Sequence, residues 1–451
     1  VSQFGRPTRG ATYGLISRVR LHAASPAFNG GEAARRYFGE FKRSIDGVHY
    51  VSQEYDEEKW ALAAAAAKRV IDMNIYSLHT IEQDMNTPTL PSDVPTDVFP
   101  NGAGGIDPYK SYAYMFNGET YPPKNEELIW GRMSGEVREY TRQSFPVFMG
   151  GYNGMSVTQK IVDNYRTVNG KTIEEGLSTG DYTEDGFTMG AKEFSGYRLN
   201  SNTYNMYNNR EMRFYASVGF SNGYWYANST TDNNVKRKTV NYAFNGNAGK
   251  DAADQDLKNY AVTGYILKKY IHDDDSWKGD ASIRMDKCFP IIRYAEILLN
   301  YVEALNNLTQ NYSIDLESGE AYALSRNTDE MKLAFNLVRY RAGLPGLTEG
   351  ELSSSSKMFQ ILVRERMIEF LCEGRRFYDL RRWGTYEEED SKPVTGMNTN
   401  LTLSDGYYSR TVINHADYRN RVVDKKTVFL PINRQEIRKV RDLDQNPGYA
   451  Q

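Results

Sequence analysis

Residues Lys357 to Trp383 read KMFQILVRERMIEFLCEGRRFYDLRRW, a stretch that sets two acids inside an apolar helical stripe. At about 100° per residue, Met358, Ile361, Leu362, Ile368 and Cys372 share one face, and Glu365 and Glu369 fall in its middle. Those carboxylates are expected to be buried. A buried, unpaired carboxylate costs several kcal/mol, so cationic partners are required, and Arg364, Arg366, Arg375, Arg376, Arg381 and Arg382 are the local supply. Glu365 and Glu369 with Arg375 and Arg376 are therefore expected to form structural ion pairs that staple helices together. One helical turn apart on a single element, the two acids cannot flank a substrate as a catalytic pair would.

Outward from this segment the chain alternates between helical text at its ends and irregular text between. Residues 11 to 24 carry Leu15, Val19 and His22 at helical spacing and stop at Pro26. Residues 56 to 74 place Trp60, Ala63, Ala64, Ala67, Val70 and Ile71 on a stripe rich in alanine, which allows close helix approach. From 76 to 285 the periodicity dissolves into Gly, Asn, Asp, Tyr and Pro, with short candidate strands at Arg213 to Phe220 and Val262 to Leu267. Helix resumes with Pro290 at a first helical position and Ile291, Ala295, Leu298, Val302 and Leu305 in step. A further helix covers 328 to 341, and Ser353 to Ser356 precede the acid-striped one. The expected fold is mainly α: tetratricopeptide-like helical pairs with a long loop-rich insertion containing short strands. The expected division is 1–75 and 286–451 for the helical parts and 76–285 for a candidate ligand-binding subdomain.

Six blocks in order carry a family resemblance. They are GRPTRGATYGLISRVRLHAASPAFNG (5–30), NREMRFYASV (209–218), TGYILKKY (263–270), CFPIIRYAEILLNYVEALN (288–306), RERMIEFLCEGRRFYDLRRWG (364–384) and VFLPINRQEIRKVRDLDQNPGY (428–449). Together they resemble the SusD/RagB family of outer-membrane nutrient-binding lipoproteins of Bacteroidota. The resemblance implies a SusD-like fold, a place at the cell surface and a TonB-dependent outer-membrane transporter barrel as partner. It also implies an oligosaccharide, or less often a peptide, as ligand. Members carry a lipid-bearing cysteine and a helical region ahead of the GRPTRGA block, so this chain is expected to start inside the fold. Membrane attachment is then expected only through a lipid anchor absent from this chain.

Composition narrows the alternatives. A net charge of −3 over 451 residues gives no electrostatic reason to expect nucleic acid. No run approaches the roughly 20 apolar residues of a membrane-spanning helix. The two cysteines, Cys288 and Cys372, cannot build a disulfide scaffold or a zinc site and read as small buried hydrophobes. Tyrosine, at 34, far outnumbers phenylalanine, at 19, which points to aromatic surface that must also hydrogen-bond.

No catalytic residue is assigned. His22, His49, His79, His272 and His415 are scattered, without metal-ligand spacing. Ser354 and Lys357 match S-x-x-K, but the serines read as a helix cap and no companion motif follows. A glycan-cleaving enzyme remains the alternative, with Glu126, Glu127, Glu136, Asp181, Glu184 and Asp185 as its candidate acids; loop acids are more often surface. No cofactor is expected. Structural calcium has one lead, the run His272-Asp273-Asp274-Asp275, which lacks a calcium-loop pattern and reads better as a solvated turn. The feature most consistent with function is aromatic and amide density at Tyr197, Asn200, Asn202, Tyr204, Asn205, Tyr207 and the triplet Tyr224-Trp225-Tyr226. Rings bury the apolar faces of sugars or peptide side chains while amides and hydroxyls orient them. Trp225 is the leading candidate, since three adjacent aromatics cannot all face inward on a regular element.

Overall fold

The computed structural model describes residues 4–133, 135–252, 259–317, 319–415, 421–440 and 442–450. Its helical scaffold is organised around Tyr294–Asn306, every residue of which is buried. Against that helix pack Glu58–Ile71, Arg9–Ala24, Thr328–Arg341 and Ser355–Glu369. Thr8 caps the first helix by accepting from the Ala11 amide at 3.1 Å. Its buried face is Gly10, Ala11, Gly14, Ser17, Leu21 and Ala24, while Leu15 and Val19 are 44% and 57% exposed. The expected stripe was therefore the wrong one. Small residues let the alanine face of Glu58–Ile71 approach, and the bulkier side chains are left outside.

The 288–306 block also departs from expectation. Cys288–Arg293 is a strand, antiparallel to Leu128–Met133 with Pro290 opposite Gly131, and the helix starts only at Tyr294. A strand with a single neighbour tolerates proline because the missing N–H can fall on its open edge. Of the candidate strand Arg213 to Phe220, the first part belongs to the helix Met212–Ser217 and only Val218–Gly219 is a strand, paired with Ile266–Leu267. Among the described residues the strands form six separate two-stranded antiparallel ladders and no larger sheet. In place of a sheet, this region is held by an aromatic core that includes Phe116, Phe145, Tyr207, Phe214, Trp225 and Tyr265, with Ile368 and Leu371 contributed from the C-terminal part.

Ser354 Oγ accepts from the Lys357 amide at 3.2 Å, which explains the S-x-x-K match as a cap. The helix it begins ends at Glu369; Cys372 then takes a positive φ of 55° and Gly374 one of 78°. Cys372 accordingly leaves the buried stripe and is exposed, whereas Cys288 is buried.

Glu365 and Glu369 are fully buried, and their partners come from elsewhere in the chain. Arg213 Nη1 donates to Glu365 at 2.6 Å and to Glu369 at 2.8 Å. Arg293 Nη1 bridges Glu369 at 2.7 Å and Glu127 at 2.6 Å, Arg341 pairs with both of these acids, and Arg293 Nε reaches Glu373 at 2.7 Å. Arg375 and Arg376, expected to neutralise the stripe, instead face Glu296 at 3.6 Å and Glu389 at 3.1 Å. The break at 370–374 redirects them: past it, Arg375–Trp383 is a separate helix that faces other acids. There Arg366 and Arg382 clamp Asp379, each at 2.9 Å, while Arg382 and the Trp383 indole donate to Glu303, each at 2.7 Å.

Burial alone would push the carboxyl of Glu369 up, but Arg341, Arg293 and Arg213 hold it below its ordinary value. Glu365 is held down against burial by Arg213 and Arg339. Both stay ionised. Because Glu127 and Arg213 belong to the middle of the chain and Glu369 to its C-terminal part, the ion network locks the irregular region onto the helices.

Candidate functional site

Gly223–Trp225 pairs with Lys238–Val240, and side chains along such a ladder alternate. Tyr224 and Tyr226 lie half-buried on the outer face; Trp225 between them points in and is 2% exposed. It packs edge-on against Phe145, with ring centroids 4.9 Å apart. The leading candidate is thus a core residue, and the ligand-facing expectation for Trp225 is corrected by the strand's own period.

The outer face is completed by the hairpin Lys192–Phe194 and Tyr197–Leu199. Its two-residue loop, Ser195-Gly196, has φ of 53° and 83°, the positive pair that a type I′ turn demands. The Tyr226 hydroxyl donates to the Gly196 carbonyl at 2.6 Å, and the Asn200 amide donates to Asn222 O at 2.8 Å and Thr239 Oγ1 at 3.1 Å. These bonds fix the hairpin beside the tyrosine strand. Between them lies a groove of about 400 Å³ lined by Tyr224, Tyr226, Arg198, Arg237, Glu193 and Asn86.

Within the groove the tyrosines meet edge to face at 4.9 Å, and the Arg198 guanidinium sits 5.1 Å from the Tyr224 ring centre. Arg198 is oriented by Asn200 Oδ1 at 3.0 Å and Arg237 by Asn228 Oδ1 at 3.0 Å. Burial, then the Asp273 charge, push the Tyr226 phenol up, so it remains a neutral hydrogen-bonding group. The arrangement offers two rings set at right angles and fixed polar groups around them. That combination suits a ligand with apolar faces and many hydroxyls or amides.

Of the remaining aromatic and amide candidates, Tyr197 is buried but lines the groove, and the others lie elsewhere. Tyr207 is fully buried and stacks on Phe220 at 4.4 Å. Tyr204 stacks on Tyr408 at 4.1 Å, beside Phe187 at 5.6 Å. The Asn205 amide donates to Asp185 O at 2.6 Å, and Asn202 is an exposed residue with a φ of 57°. None of these four lines the groove. Arg198, Arg237 and Glu193, which do, were not among the sequence candidates; the legible signal was Ser195-Gly196 between KEF and YRL.

Of the candidate loop acids, Asp185 is exposed, and four others are taken up by cations or a hydroxyl. Glu127 is buried against Arg293 and Arg341, Asp181 pairs with Lys171, Glu184 pairs with Arg410, and Glu126 accepts from Ser77 at 2.8 Å. The side chain of Glu136 lies outside the described residues. In the His272–Asp275 run, Asp275 is no solvated turn residue: it is fully buried against Lys287 Nζ at 2.8 Å, and His272 Nε2 meets Glu119 at 2.6 Å. Among the described residues no group of three or more His, Cys, Asp or Glu is placed to hold a metal ion, and no helix is long and apolar enough to cross a membrane.

Comparison with solved structures gives BT4246 in its selenomethionine form, with a TM-score of 0.72 at 22% identity over 99% of this chain and 74% of that one. A SusD-like protein, BF3747 from Bacteroides fragilis, gives 0.61 at 21% identity, covering 99% and 66%. A SusD-like carbohydrate binding protein, BF0978 from Bacteroides fragilis, gives 0.57 at 16% identity, covering 93% and 62%. These likenesses establish the shared fold. No curated protein sequence matches the chain. The model of the SusD family matches residues 126–449, which span the buried ion network and all of the groove residues but Asn86, and the chain belongs to the SusD family.

Proposed function

We propose that this protein is the substrate-binding subunit of an outer-membrane nutrient uptake complex, and that it holds an oligosaccharide in the Tyr224–Tyr226 groove without cleaving it. The SusD family consists of surface-exposed outer-membrane nutrient-binding proteins that pair with TonB-dependent SusC-like transporters. The observation that carries the ligand class is the pairing of two half-exposed tyrosines at 4.9 Å with an arginine 5.1 Å from one ring, in a groove of about 400 Å³. Tyrosine faces stack on the C–H faces of sugar rings while guanidinium and amide groups take their hydroxyls. BF0978, described as carbohydrate binding, is in keeping with this reading.

A peptide is the second reading, since Arg198 and Arg237 can also receive a carboxylate. Calorimetric titration with neutral oligosaccharides and, separately, with a pool of unstructured peptides tests the choice. Saturable binding of a neutral glycan, with no new reducing ends formed, supports the proposal. Binding of peptides alone, or cleavage of the glycan, sinks it.

A further inference from the structure

A second groove, of about 780 Å³, runs between Thr328–Arg341, Ser355–Glu369 and the 166–172 loop, and it shares no residue with the tyrosine groove. Its cations are Arg166, Lys171, Lys332, Arg339, Lys357 and Arg364. Several local charges are already committed. Lys171 pairs with Asp181 and Lys332 with Glu349. Glu175 and Glu351 each close a capping box, accepting from the amides of Thr172 and Thr348 at 2.8 Å.

What remains is a set of guanidinium groups with spare donors. Arg339 is 2% exposed, and its Nε and Nη2 have no hydrogen-bond partner among the described residues. Its nearest carboxylate oxygens are Glu365 Oε2 at 3.6 Å from Nε and Glu351 Oε1 at 3.7 Å from Nη1, both beyond a hydrogen bond. Arg213 donates to the other oxygen of Glu365, Oε1, at 2.6 Å, and Oε2 makes no hydrogen bond among the described residues. Arg166, buried as well, gives Nη1 to the Gly170 carbonyl at 2.7 Å and leaves Nε without a partner. Arg364 Nη1 is likewise buried and unpartnered, and neither Arg166 nor Arg364 forms a salt bridge among the described residues. Burial, then the like charge of Arg166, pull Arg339 down to about 10 and lower Arg364 as well.

A buried donor without an acceptor is destabilising, and more so when it is charged. Three guanidiniums with such donors line the groove, one from each element that bounds it, and a ligand that brings negative charge there offsets their mutual repulsion. Planar guanidinium forks match the oxygens of sulfate, phosphate and carboxylate. We infer that this groove is an oxyanion-binding site, which takes a sulfate, phosphate or carboxylate group carried on a small ligand. It stands independently of the tyrosine groove and of the neutral sugar assigned there.

The test is calorimetric titration of the full chain with sodium sulfate, sodium phosphate and sodium glucuronate, each against sodium chloride at equal ionic strength. Heat is read in preference to melting temperature, because sulfate and phosphate stabilise most proteins by exclusion from their surface. Saturable binding of at least one oxyanion is expected, weakened about tenfold by Arg364→Gln, the least buried of the three guanidiniums. Arg339→Gln is expected to weaken it further; should that variant fail to fold, Arg364→Gln decides alone. The anion that binds identifies the group: glucuronate an acidic sugar, sulfate or phosphate an ester. No saturable heat from any of the three, or binding undiminished in Arg364→Gln, overturns the inference.

Discussion

Arg213 Nη1 donates at once to Glu365 and Glu369, 2.6 and 2.8 Å away, and all three side chains are fully buried. Arg213 lies on Met212–Ser217 in the irregular region and the acids on Ser355–Glu369, so one guanidinium ties two distant parts of the chain. Arg213→Met leaves two buried carboxylates short of a partner. Its expected cost is about 3–5 kcal/mol, read by urea unfolding. A loss below about 1 kcal/mol would show that the neighbouring arginines suffice.

Acid should unfold the protein through other buried carboxyls that arginines hold ionised, Glu296 and Asp379. Against burial, Arg18 and Arg375 hold Glu296 at about 2, and Arg366 and Arg382 hold Asp379 at about 2. A carboxyl depressed in the folded state contributes stability that is complete above its unfolded pKa, about 4, and is lost as pH falls through the folded value. Each of these two is worth roughly 2–3 kcal/mol across that window. Stability measured by urea titration should therefore fall steeply between pH about 4.5 and 2. Asp379→Asn, less stable at pH 7, should show a shallower fall; an unchanged slope would remove Asp379 from the account.

The tyrosine strand separates binding from stability by alternate residues. Tyr224→Ala and Tyr226→Ala are expected to weaken glycan retention about two- to tenfold each, with small changes in melting. Trp225→Ala, which empties a core position against Phe145, should instead cost about 3–5 kcal/mol of stability. Reversal of this pattern would mean that the strand presents its other face to the ligand.

Gly196 holds the hairpin that walls the groove. At a φ of 83° a side chain is strained even though open space surrounds the position. Gly196→Ala is expected to cost about 1 kcal/mol by thermal unfolding and to weaken glycan binding, because the Gly196 carbonyl anchors Tyr226. Binding and melting both unchanged would free the turn from any role in the site.

The scaffold was legible where periodicity is strong. The 328–341 helix, the alanine face of residues 58–71 and the burial of Glu365 and Glu369 follow from residue spacing alone. Partner choice did not follow from proximity in sequence. Six arginines stand close to the two acids along the chain, yet Arg213, Arg293 and Arg341 reach them: Arg364 and Arg366 sit about 100° round their helix from Glu365, and the break after Glu369 turns Arg375, Arg376 and Arg382 toward Glu296, Glu389 and Glu303. At the candidate site the aromatic triplet was visible, but strand alternation selects its outer members, and a three-residue strand is too short to announce its phase. Arg198 and Arg237 escaped notice because a lone arginine in loop text carries no periodic signal.

Native affinity electrophoresis across a panel of neutral polysaccharides, comparing the unaltered chain with the Tyr224→Ala/Tyr226→Ala pair, bears most directly on the proposed binding role. The account expects the unaltered protein to be retarded by at least one polysaccharide and the double variant, still cooperatively folded, to migrate freely in it. Equal retardation of the two proteins, or retardation of neither, would contradict it.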